Sequence, residues 1–184
     1  MKVLTVAGMP GCGKEEFLRV AAEHSFSVVR MGDVVREEAS RRGIGISDEA
    51  IGGFAHAERE RHGFGIWAER TLPKVTGERV VIDGLRGSVE LEAFRRALGE
   101  SVAVVAIHAA PKVRFERLRQ RNRSDAPATW EEFLVRDTRE LRWGLGDVIA
   151  TADYVIVNEG ELGAFRARAR EVLESILGGA SHVP

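Results

Sequence analysis

The stretch Gly8-Met9-Pro10-Gly11-Cys12-Gly13-Lys14-Glu15 lies between an apolar run at residues 3–7 and a segment with apolar residues at 17, 18, 21 and 22. A phosphate-binding loop has the pattern G-x-x-x-x-G-K followed by Ser or Thr, and it connects a strand to the start of a helix. The apolar run predicts the strand, and the apolar spacing after the loop predicts a helix with one buried face. The sequence therefore predicts that the backbone amides from Gly8 to Lys14 bind phosphate oxygens.

Glu15 occupies the position at which such a loop has the serine or threonine whose hydroxyl binds magnesium. A carboxylate in the first turn of a helix is favourable by about 0.3–1 kcal/mol when the site is empty. Beside the phosphates of ATP it is repelled, unless a cation lies between the two anions. We therefore predict that Glu15 contacts Mg²⁺, directly or through water, and that ATP binding depends steeply on the metal.

Short runs rich in β-branched residues recur along the chain, with a helix-sized connection between each pair. They are apolar throughout instead of alternating, which is typical of parallel strands covered on both faces. The pattern predicts an α/β fold: a three-layer sandwich of the P-loop NTPase type, with a five-stranded parallel sheet flanked by helices. We expect one domain over residues 1–184. The predicted strands cover residues 3–7, 27–31, 80–82, 102–107 and 154–157.

Several helix ends and two long connections can also be predicted. Pro111 is placed to begin a helix that ends near residue 121, and Thr129 with Glu132 forms a capping box. An apolar stripe from Leu162 predicts a last helix that ends at Gly178. The stretch at about 34–73 is too long for a single crossover, and residues 122–128 form a polar loop between helices. Insertions of this kind bind ligands in open α/β sheets.

The composition limits the classes of protein to consider. The net charge is −1, which argues against a general polyanion-binding protein, but arginine outnumbers lysine by 23 to 4. The arginine bias is typical of bidentate phosphate binding, or of a GC-rich or thermophilic source. The single cysteine, Cys12, excludes an intramolecular disulfide and fits a reducing compartment. No run of roughly 18 apolar residues occurs, so we expect a cytoplasmic protein without membrane partners. The histidines lack the spacing of zinc ligands, so we expect no zinc site.

Two further segments follow or span the ends of predicted strands: Met31-Gly32-Asp33-Val34-Val35-Arg36-Glu37-Glu38 and Val81-Ile82-Asp83-Gly84-Leu85-Arg86. They resemble the nucleoside monophosphate kinases, in which these segments read T-G-D-hydrophobic-hydrophobic-R and D-G-F-P-R, the second being one residue longer. The chain is most similar to an adenylate-kinase-related family, mostly archaeal and sometimes labelled dephospho-CoA kinase. That family has segments like M-G-D-V-V-R-E-E, I-D-G-x-R, R-S-D and I-V-N-E-G, and the resemblance spans nearly the whole chain.

The resemblance implies a kinase that uses magnesium and ATP to phosphorylate a nucleotide, with an acceptor-binding insertion at about 34–73 and a lid at about 122–128. It implies that Lys14 holds the β- and γ-phosphates, that Asp83 organises Mg²⁺ and that Arg117 clasps the base of ATP. The acceptor would be bound by Gly32, Asp33, Arg36, Gly84 and Arg86, while Arg121 or Arg123, Arg136 and Arg139 would close on the phosphates.

Several of these residues also have purely structural interpretations. Asp33 could cap a helix that begins at Val34, Asp83 could be a turn residue, and about half of the lid arginines could be solvated. The acceptor is open between an AMP-type monophosphate, which needs no general base, and dephospho-CoA, whose ribose hydroxyl could use Asp33 as a base. The arginines at 114–123 could also bind RNA, which leaves open a nucleotide-switched binding protein with weak ATPase activity. The sequence does not predict the oligomeric state.

Overall fold

The computed structural model describes residues 1–45, 47–99, 102–121 and 126–178, with the backbone alone at Asp48. Strands and helices alternate along most of the chain, as the sequence predicts. The strands are β1 Lys2–Ala7, β2 Ser27–Arg30, β3 Arg79–Asp83, β4 Ala103–His108 and β5 Tyr154–Val157. The helices are α1 Lys14–Glu23, α2 Met31–Arg41, α3 Asp48–His62, α4 Ile66–Thr71, α5 Ser88–Leu98, α6 Pro111–Gln120, α7 Trp130–Arg142, α8 Leu145–Ala150 and α9 Leu162–Gly178, with a short 3-10 helix at Leu72–Lys74.

The five strands form one parallel sheet in the order β2-β3-β1-β4-β5. β1 is the central strand, with β3 on one side and β4 on the other. The loop that follows β1 therefore leaves the middle of the carboxyl edge of the sheet, where ligands bind in such folds. Arg30 and Asp83 are paired neighbours at the ends of β2 and β3, so the sheet also places a cation and a carboxylate at this edge.

Two hydrophobic layers cover the sheet, because its strands bury side chains on both faces. Along β1, Val3 and Ala7 contribute to one layer, and Leu4 and Val6 to the other. The first layer is completed by side chains of α2, α3, α4, α5 and α8, and the second by side chains of α1 and α9. The predicted three-layer sandwich is confirmed.

The helix ends mostly agree with the sequence, with one correction. The Thr129 hydroxyl accepts a hydrogen bond from the Glu132 amide at 3.2 Å, and α6 begins at Pro111. Asp33 does not cap a helix, because β2 ends at Arg30 and α2 begins directly at Met31. Asp33 instead lies inside the first turn of α2, where the helix dipole favours a carboxylate.

The predicted insertion is helical and contains α3 and α4. Ser47 caps α3 by accepting a hydrogen bond from the Ala50 amide at 3.2 Å, and the Trp67 indole of α4 donates to the carbonyl of Ala55 in α3 at 3.0 Å. Of the predicted lid, residues 122–125 lie outside the described residues, and α7 follows from residue 130. Among the described helices, none combines the length and the apolar character needed to cross a membrane.

Candidate active site

The loop between β1 and α1 has a backbone shape that depends on its glycines. Gly11 and Gly13 have φ angles of 83° and 108°, a region that residues with side chains rarely adopt. Neither position has space for a side chain either. A Cβ atom at Gly13 would collide with the side-chain amide of Asn158, and one at Gly11 would lie 2.7 Å from the carbonyl oxygen of Arg114. The neighbouring elements therefore fix the shape of the loop together with its own sequence.

Two buried side chains outside the loop hold its carbonyl groups. Asn158, which follows β5, donates from Nδ2 to the carbonyl of Cys12 at 2.8 Å. Arg114 of α6 donates to the carbonyl of Pro10 at 3.2 Å, and its guanidinium also binds both carboxylate oxygens of Asp137. These bonds satisfy backbone acceptors of the loop and tie it to α6 and β5. Arg114 is therefore a loop-positioning residue, whereas the sequence grouped it with the lid arginines.

Lys14 is the first residue of α1, and its ammonium group folds back over the loop. Its Nζ donates to the carbonyl oxygen of Gly8 at 2.5 Å and lies 4.0 Å from Sγ of Cys12. The side chains of Met9 and Cys12 are buried in the hydrophobic layers, so these residues can contribute to a site only through their backbone. A phosphate oxygen could replace the Gly8 carbonyl as the partner of Nζ, because a charge-assisted bond to an anion is stronger.

A cleft of about 170 Å³ lies beside this loop, with Pro10, Gly11 and Gly13 in its wall. The charged residues that line it come from distant parts of the chain, and the sequence predicts all of them except one. They are Lys14, Glu15, Asp83, Arg86, Arg121, Arg136 and, not predicted, Glu140. The fold thus gathers residues predicted for phosphate, metal and acceptor binding around one cleft.

Asp83 supplies a carboxylate oxygen that suits a metal ion. Its Oδ1 is buried and has no hydrogen-bond partner among the residues that the structure describes. Within the same residues, no three His, Cys, Asp or Glu side chains converge as a complete metal site. Magnesium is usually held by one or two carboxylates together with substrate phosphates and water. Asp83, with Glu15 on the same cleft, therefore fits a magnesium ion that arrives with a nucleotide.

Glu15 is already paired with a protein cation. Nη2 of Arg30 lies 2.8 Å from Oε1 and 3.1 Å from Oε2 of Glu15. Burial is the largest influence on the pKa of Arg30 and lowers it, but the hydrogen bond to Glu15 and the charges of Glu15, Asp83 and Asp33 outweigh it, so the pKa is raised. Sequence reasoning missed Arg30, although an arginine at the end of a strand beside the loop was a usable signal. The predicted contact of Glu15 with Mg²⁺ stays a prediction.

A second pocket, of about 150 Å³, adjoins the cleft. It brings together Gly32, Arg36, Gly84 and Arg86, which the sequence assigned to the acceptor, and Arg139, which it assigned to the phosphates. Asp33 does not line either pocket in the described part of the chain. Its exposed carboxylate accepts a hydrogen bond from Arg36 at 2.6 Å. The pocket is completed by residues that include Arg59, Trp67 and Trp143.

Arg86 and Glu140 line both the cleft and the second pocket. Nε of Arg86 lies 2.7 Å from Oε2 of Glu140, whose side chain is buried. Burial is the largest influence on the pKa of Arg86 and lowers it, but the charges of Glu140, Asp83 and Glu90 outweigh it, so the pKa is raised. A fixed cation therefore stands where the two pockets meet. Glu140 lies one helical turn after Arg136 on α7, and this spacing could have indicated it.

A groove of about 700 Å³ lies between α3 and α7, next to the second pocket. Gly52, Arg139 and Trp143 line both spaces. The indole of Trp143 lies under the guanidinium groups of Arg59 and Arg139, at 5.0 and 5.6 Å from the ring centre. On the opposite wall, α3 carries Gly52 and Gly53 in its interior, where each glycine costs a helix roughly 1 kcal/mol relative to alanine.

The remaining predicted arginines have separate outcomes. Nη1 of Arg117 donates to the carbonyl of Asn158 at 2.8 Å, and its assignment to the base of ATP stays a prediction. Arg123 lies outside the described residues. The sequence did not predict a role for Asn158, which lies in the segment I-V-N-E-G, although a polar residue directly after a buried strand is a signal for a site at the sheet edge.

Comparisons with known proteins agree with this geometry. The AAA_17 family, described as an AAA domain, matches residues 7–133. The chain is 49% identical over 172 residues to a UPF0200 protein of Thermoplasma acidophilum. The alignment covers 93% of this chain and 94% of that protein. The chain is also 50% identical over 186 residues to a UPF0200 protein of Methanopyrus kandleri, with 96% and 91% covered.

Solved structures with the same fold include small-molecule kinases. A shikimate kinase from Acinetobacter baumannii in complex with shikimate superposes with a TM-score of 0.58 at 18% identity, covering 98% of this chain and 95% of that one. A gluconokinase from Sinorhizobium meliloti gives a TM-score of 0.56 at 16% identity, with 97% of each chain covered. At these identities the likeness shows the fold alone, and that fold is the one of P-loop kinases.

Proposed function

The chain belongs to the UPF0200 family and to the AAA_17 family, and we propose that it is a magnesium- and ATP-dependent phosphotransferase that acts on a nucleotide. The acceptor in this proposal is an AMP-type monophosphate, and the product is the corresponding diphosphate. The coarser statement, a P-loop fold of the kinase type with a nucleotide-binding loop, rests on the family and on the solved structures.

One observation carries the proposal: two phosphate-sized, arginine-lined pockets share a wall at Arg86. The cleft has the glycine loop, Lys14 and Asp83 on the donor side. The second pocket has Arg36 on the acceptor side, and in this proposal it is the acceptor pocket. An isolated nucleotide-binding protein needs only the first of these. A transferase needs both, with a cation at the boundary, because the phosphoryl group passes from one to the other.

The chemistry assigned to the site is a single displacement. An oxygen of the acceptor phosphate forms a bond to the γ-phosphorus of ATP, the bond from that phosphorus to the β,γ-bridging oxygen breaks, and ADP leaves. Lys14 and the loop amides orient the donor, and Arg86, Arg121 and Arg136 stabilise the charge that spreads over the transferring oxygens. Asp83 would hold Mg²⁺, with Glu15 beside it, and the metal would supply further charge neutralisation.

The surroundings of Asp33 favour a phosphate acceptor over a hydroxyl acceptor. A ribose hydroxyl, as in dephospho-CoA, benefits from a carboxylate that can take its proton. The carboxylate of Asp33 accepts a hydrogen bond from Arg36 at 2.6 Å. Because it is already paired with a cation, it is less suited to act as a general base. A phosphate oxygen is largely ionised at neutral pH, since its second pKa is about 6, and needs no such base.

Phosphorus NMR with a panel of acceptors tests the proposal. The protein is incubated with Mg²⁺ and ATP and with AMP, CMP, UMP, GMP or dephospho-CoA, and the products are resolved after each incubation. We expect a nucleoside diphosphate signal and ADP with one or more of the monophosphates. Transfer to dephospho-CoA alone would replace the acceptor assignment. Slow ATP hydrolysis that no acceptor changes would favour the nucleotide-switched binding protein instead.

A further inference from the structure

The acceptor pocket is too small to hold a whole acceptor. Its volume of about 150 Å³ is below the range of roughly 300–1,000 Å³ that is typical of ligand sites. The pocket has four arginines, and they suit the phosphate group of an acceptor, because one guanidinium group can bind two phosphate oxygens. They are Arg36, Arg59, Arg86 and Arg139. An acceptor held there by its phosphate must therefore place the rest of its structure in a neighbouring space.

The groove between α3 and α7 is that neighbouring space. At about 700 Å³ it falls within the range of small-molecule sites, and it shares residues with the acceptor pocket. Its wall includes the residues Phe64, Leu134 and Val135, which are 42%, 43% and 72% exposed. Large apolar side chains gathered on one exposed concave surface indicate a binding site more often than scattered ones do.

The two glycines of α3 provide an independent reason to expect a ligand there. A Cβ atom at Gly53 would meet no atom within 4 Å, and one at Gly52 would lie 3.6 Å from Arg139, an ordinary contact. Neither glycine has a positive φ angle. Backbone conformation and packing within the protein therefore do not require glycine at these positions. Both residues line the groove, so their effect is to keep the backbone of α3 bare along it.

We infer that the groove binds the body of the acceptor, and that this body presents a flat ring with largely apolar faces, as the base of the proposed nucleoside monophosphate does. The inference rests on the proposed function, because the phosphate-binding pocket gives the acceptor its orientation. The bare segment of α3 forms one wall for the flat group, and Leu134 and Val135 of α7 form the other. His56 and Arg142, which also line the groove, can donate hydrogen bonds to polar substituents at the edge of the flat group.

Calorimetric titration with 1-naphthyl phosphate and methyl phosphate tests the inference without turnover. The two probes carry the same phosphate group, and only the first has a flat apolar body. We expect 1-naphthyl phosphate to bind wild-type protein at least about tenfold more tightly, because its rings lose contact with water in the groove. Equal affinities for the two probes would overturn the inference.

Gly53→Leu fills the groove without changing the arginines of the phosphate pocket. This variant should lose the preference for 1-naphthyl phosphate and keep the wild-type affinity for methyl phosphate. Gly163→Leu in α9 is the matched control, since a Cβ atom there also meets no atom within 4 Å. Both variants should fold, because leucine has a higher helix propensity than glycine, and thermal unfolding checks this. If Gly53→Leu fails to fold, Val135→Glu on the opposite wall replaces it, and it should lose the same preference for 1-naphthyl phosphate.

The outcomes separate this inference from the proposed function. A preference for 1-naphthyl phosphate that survives Gly53→Leu would overturn the inference, whatever the acceptor panel shows. A groove covered by a second copy of the chain would give a dimer in sedimentation that Gly53→Leu breaks, with no change in probe binding, and this would also overturn it. An intact, Gly53-dependent preference in a protein that transfers no phosphate would reject the proposed phosphotransferase and keep the groove as a binding site.

Discussion

The donor cleft and the acceptor side of the site are built in different ways. The cleft is organised around one contiguous loop, residues 8–15, held by Asn158 and Arg114. The acceptor side is assembled from α2, α3, the end of β3 and α7. The cleft is small and charged, whereas the acceptor side opens into a groove of about 700 Å³. A short motif thus builds the part of the site that this chain shares with other P-loop proteins, and the packing of distant helices builds the rest.

Lys14→Ala should produce the largest change on the donor side. The substitution removes charge-assisted hydrogen bonds worth about 1.5–3 kcal/mol each, so the affinity for ATP should fall roughly 10–100-fold. Phosphoryl transfer should fall by about 10³-fold or more, because the same cation stabilises the transition state. Calorimetric titration with ATP and single-turnover rates measure the two effects.

The matched control for this substitution is Lys112→Ala. Lys112 is an exposed residue of α6 that does not line the cleft in the described structure, and the variant should bind ATP as the wild type does. The melting temperature of Lys14→Ala should stay close to that of the wild type, since within the described part of the chain Nζ contacts only the Gly8 carbonyl and Sγ of Cys12. Unchanged affinity for ATP in Lys14→Ala would remove the phosphate-loop interpretation.

Arg86→Met should affect both sides of the site. Arg86 lines the cleft and the acceptor pocket, so transfer should fall by about 10²–10³-fold, with weaker binding of both substrates. The variant also leaves the buried carboxylate of Glu140 without its ion-pair partner, which should cost roughly 1–3 kcal/mol of unfolding free energy. Initial rates and chemical denaturation measure these changes.

Arg86→Met combined with Glu140→Leu separates the two roles of the pair. The double variant no longer buries an unpaired carboxylate, so its stability should return toward that of the wild type. Its transfer rate should stay low, because the cation at the boundary is still missing. If the double variant recovers activity together with stability, Arg86 affects transfer only through folding. A cation at the boundary of the two pockets is then not needed for transfer.

The sequence predicts the donor cleft better than it predicts the acceptor side. The five parallel strands and the glycine loop after the first one could be predicted, and Lys14, Asp83, Arg121 and Arg136 could be picked out because each lies in or near a recognisable segment. Arg114, which holds the loop together with Asn158, could not be assigned in this way. Arg114 looks like one more solvated arginine, and only the packing of α6 against the loop shows that its guanidinium binds the Pro10 carbonyl.

On the acceptor side, the missed residues depend on tertiary contacts. Arg59 and Trp143 are distant in sequence, and the guanidinium lies 5.0 Å from the indole centre only because α3 approaches the end of α7. Glu90, at the start of α5, is fully buried because it accepts hydrogen bonds from Arg59 and from the Arg86 amide. No local pattern contains the pairings of Arg59 with Trp143 and with Glu90, so a single sequence cannot reveal them.

Asp33→Asn should have a smaller effect that identifies the acceptor chemistry. With a monophosphate acceptor, we expect a change of about tenfold or less, mainly in acceptor KM, because the substitution weakens the hydrogen bond that orients Arg36. With a hydroxyl acceptor, loss of a general base should lower the chemical step by roughly 10²–10⁴-fold. Single-turnover rates at saturating acceptor distinguish the two cases, and a collapse of the rate with AMP would contradict the acceptor assignment.

The smallest expected effect comes from the ion pair between Arg30 and Glu15, the residue that departs from the loop pattern. Arg30 lies 2.8 Å from Glu15, so a protein cation already offsets the charge that would repel ATP. Arg30→Met should therefore weaken the binding of metal-free ATP by roughly three- to tenfold, as expected for an added like-charge contact in a partly solvated site. Adding Glu15→Ser to that variant should reverse the loss, because it removes the uncompensated carboxylate.

Titrations with and without Mg²⁺ decide between this account and the contact with Mg²⁺ that the sequence predicts for Glu15. If Arg30 is the cation that matters, Glu15→Ser alone should change the magnesium dependence of ATP binding little, and Arg30→Met alone should make it steeper, since the metal must then neutralise Glu15. If Glu15 holds the metal in the wild type, Glu15→Ser alone should already make the dependence shallower, with or without Arg30. Independent effects of the two substitutions would show that the ion pair has no part in nucleotide binding. Glu15 would then differ from the usual hydroxyl only through its position in the first turn of α1, where the helix dipole stabilises a carboxylate by about 0.3–1 kcal/mol.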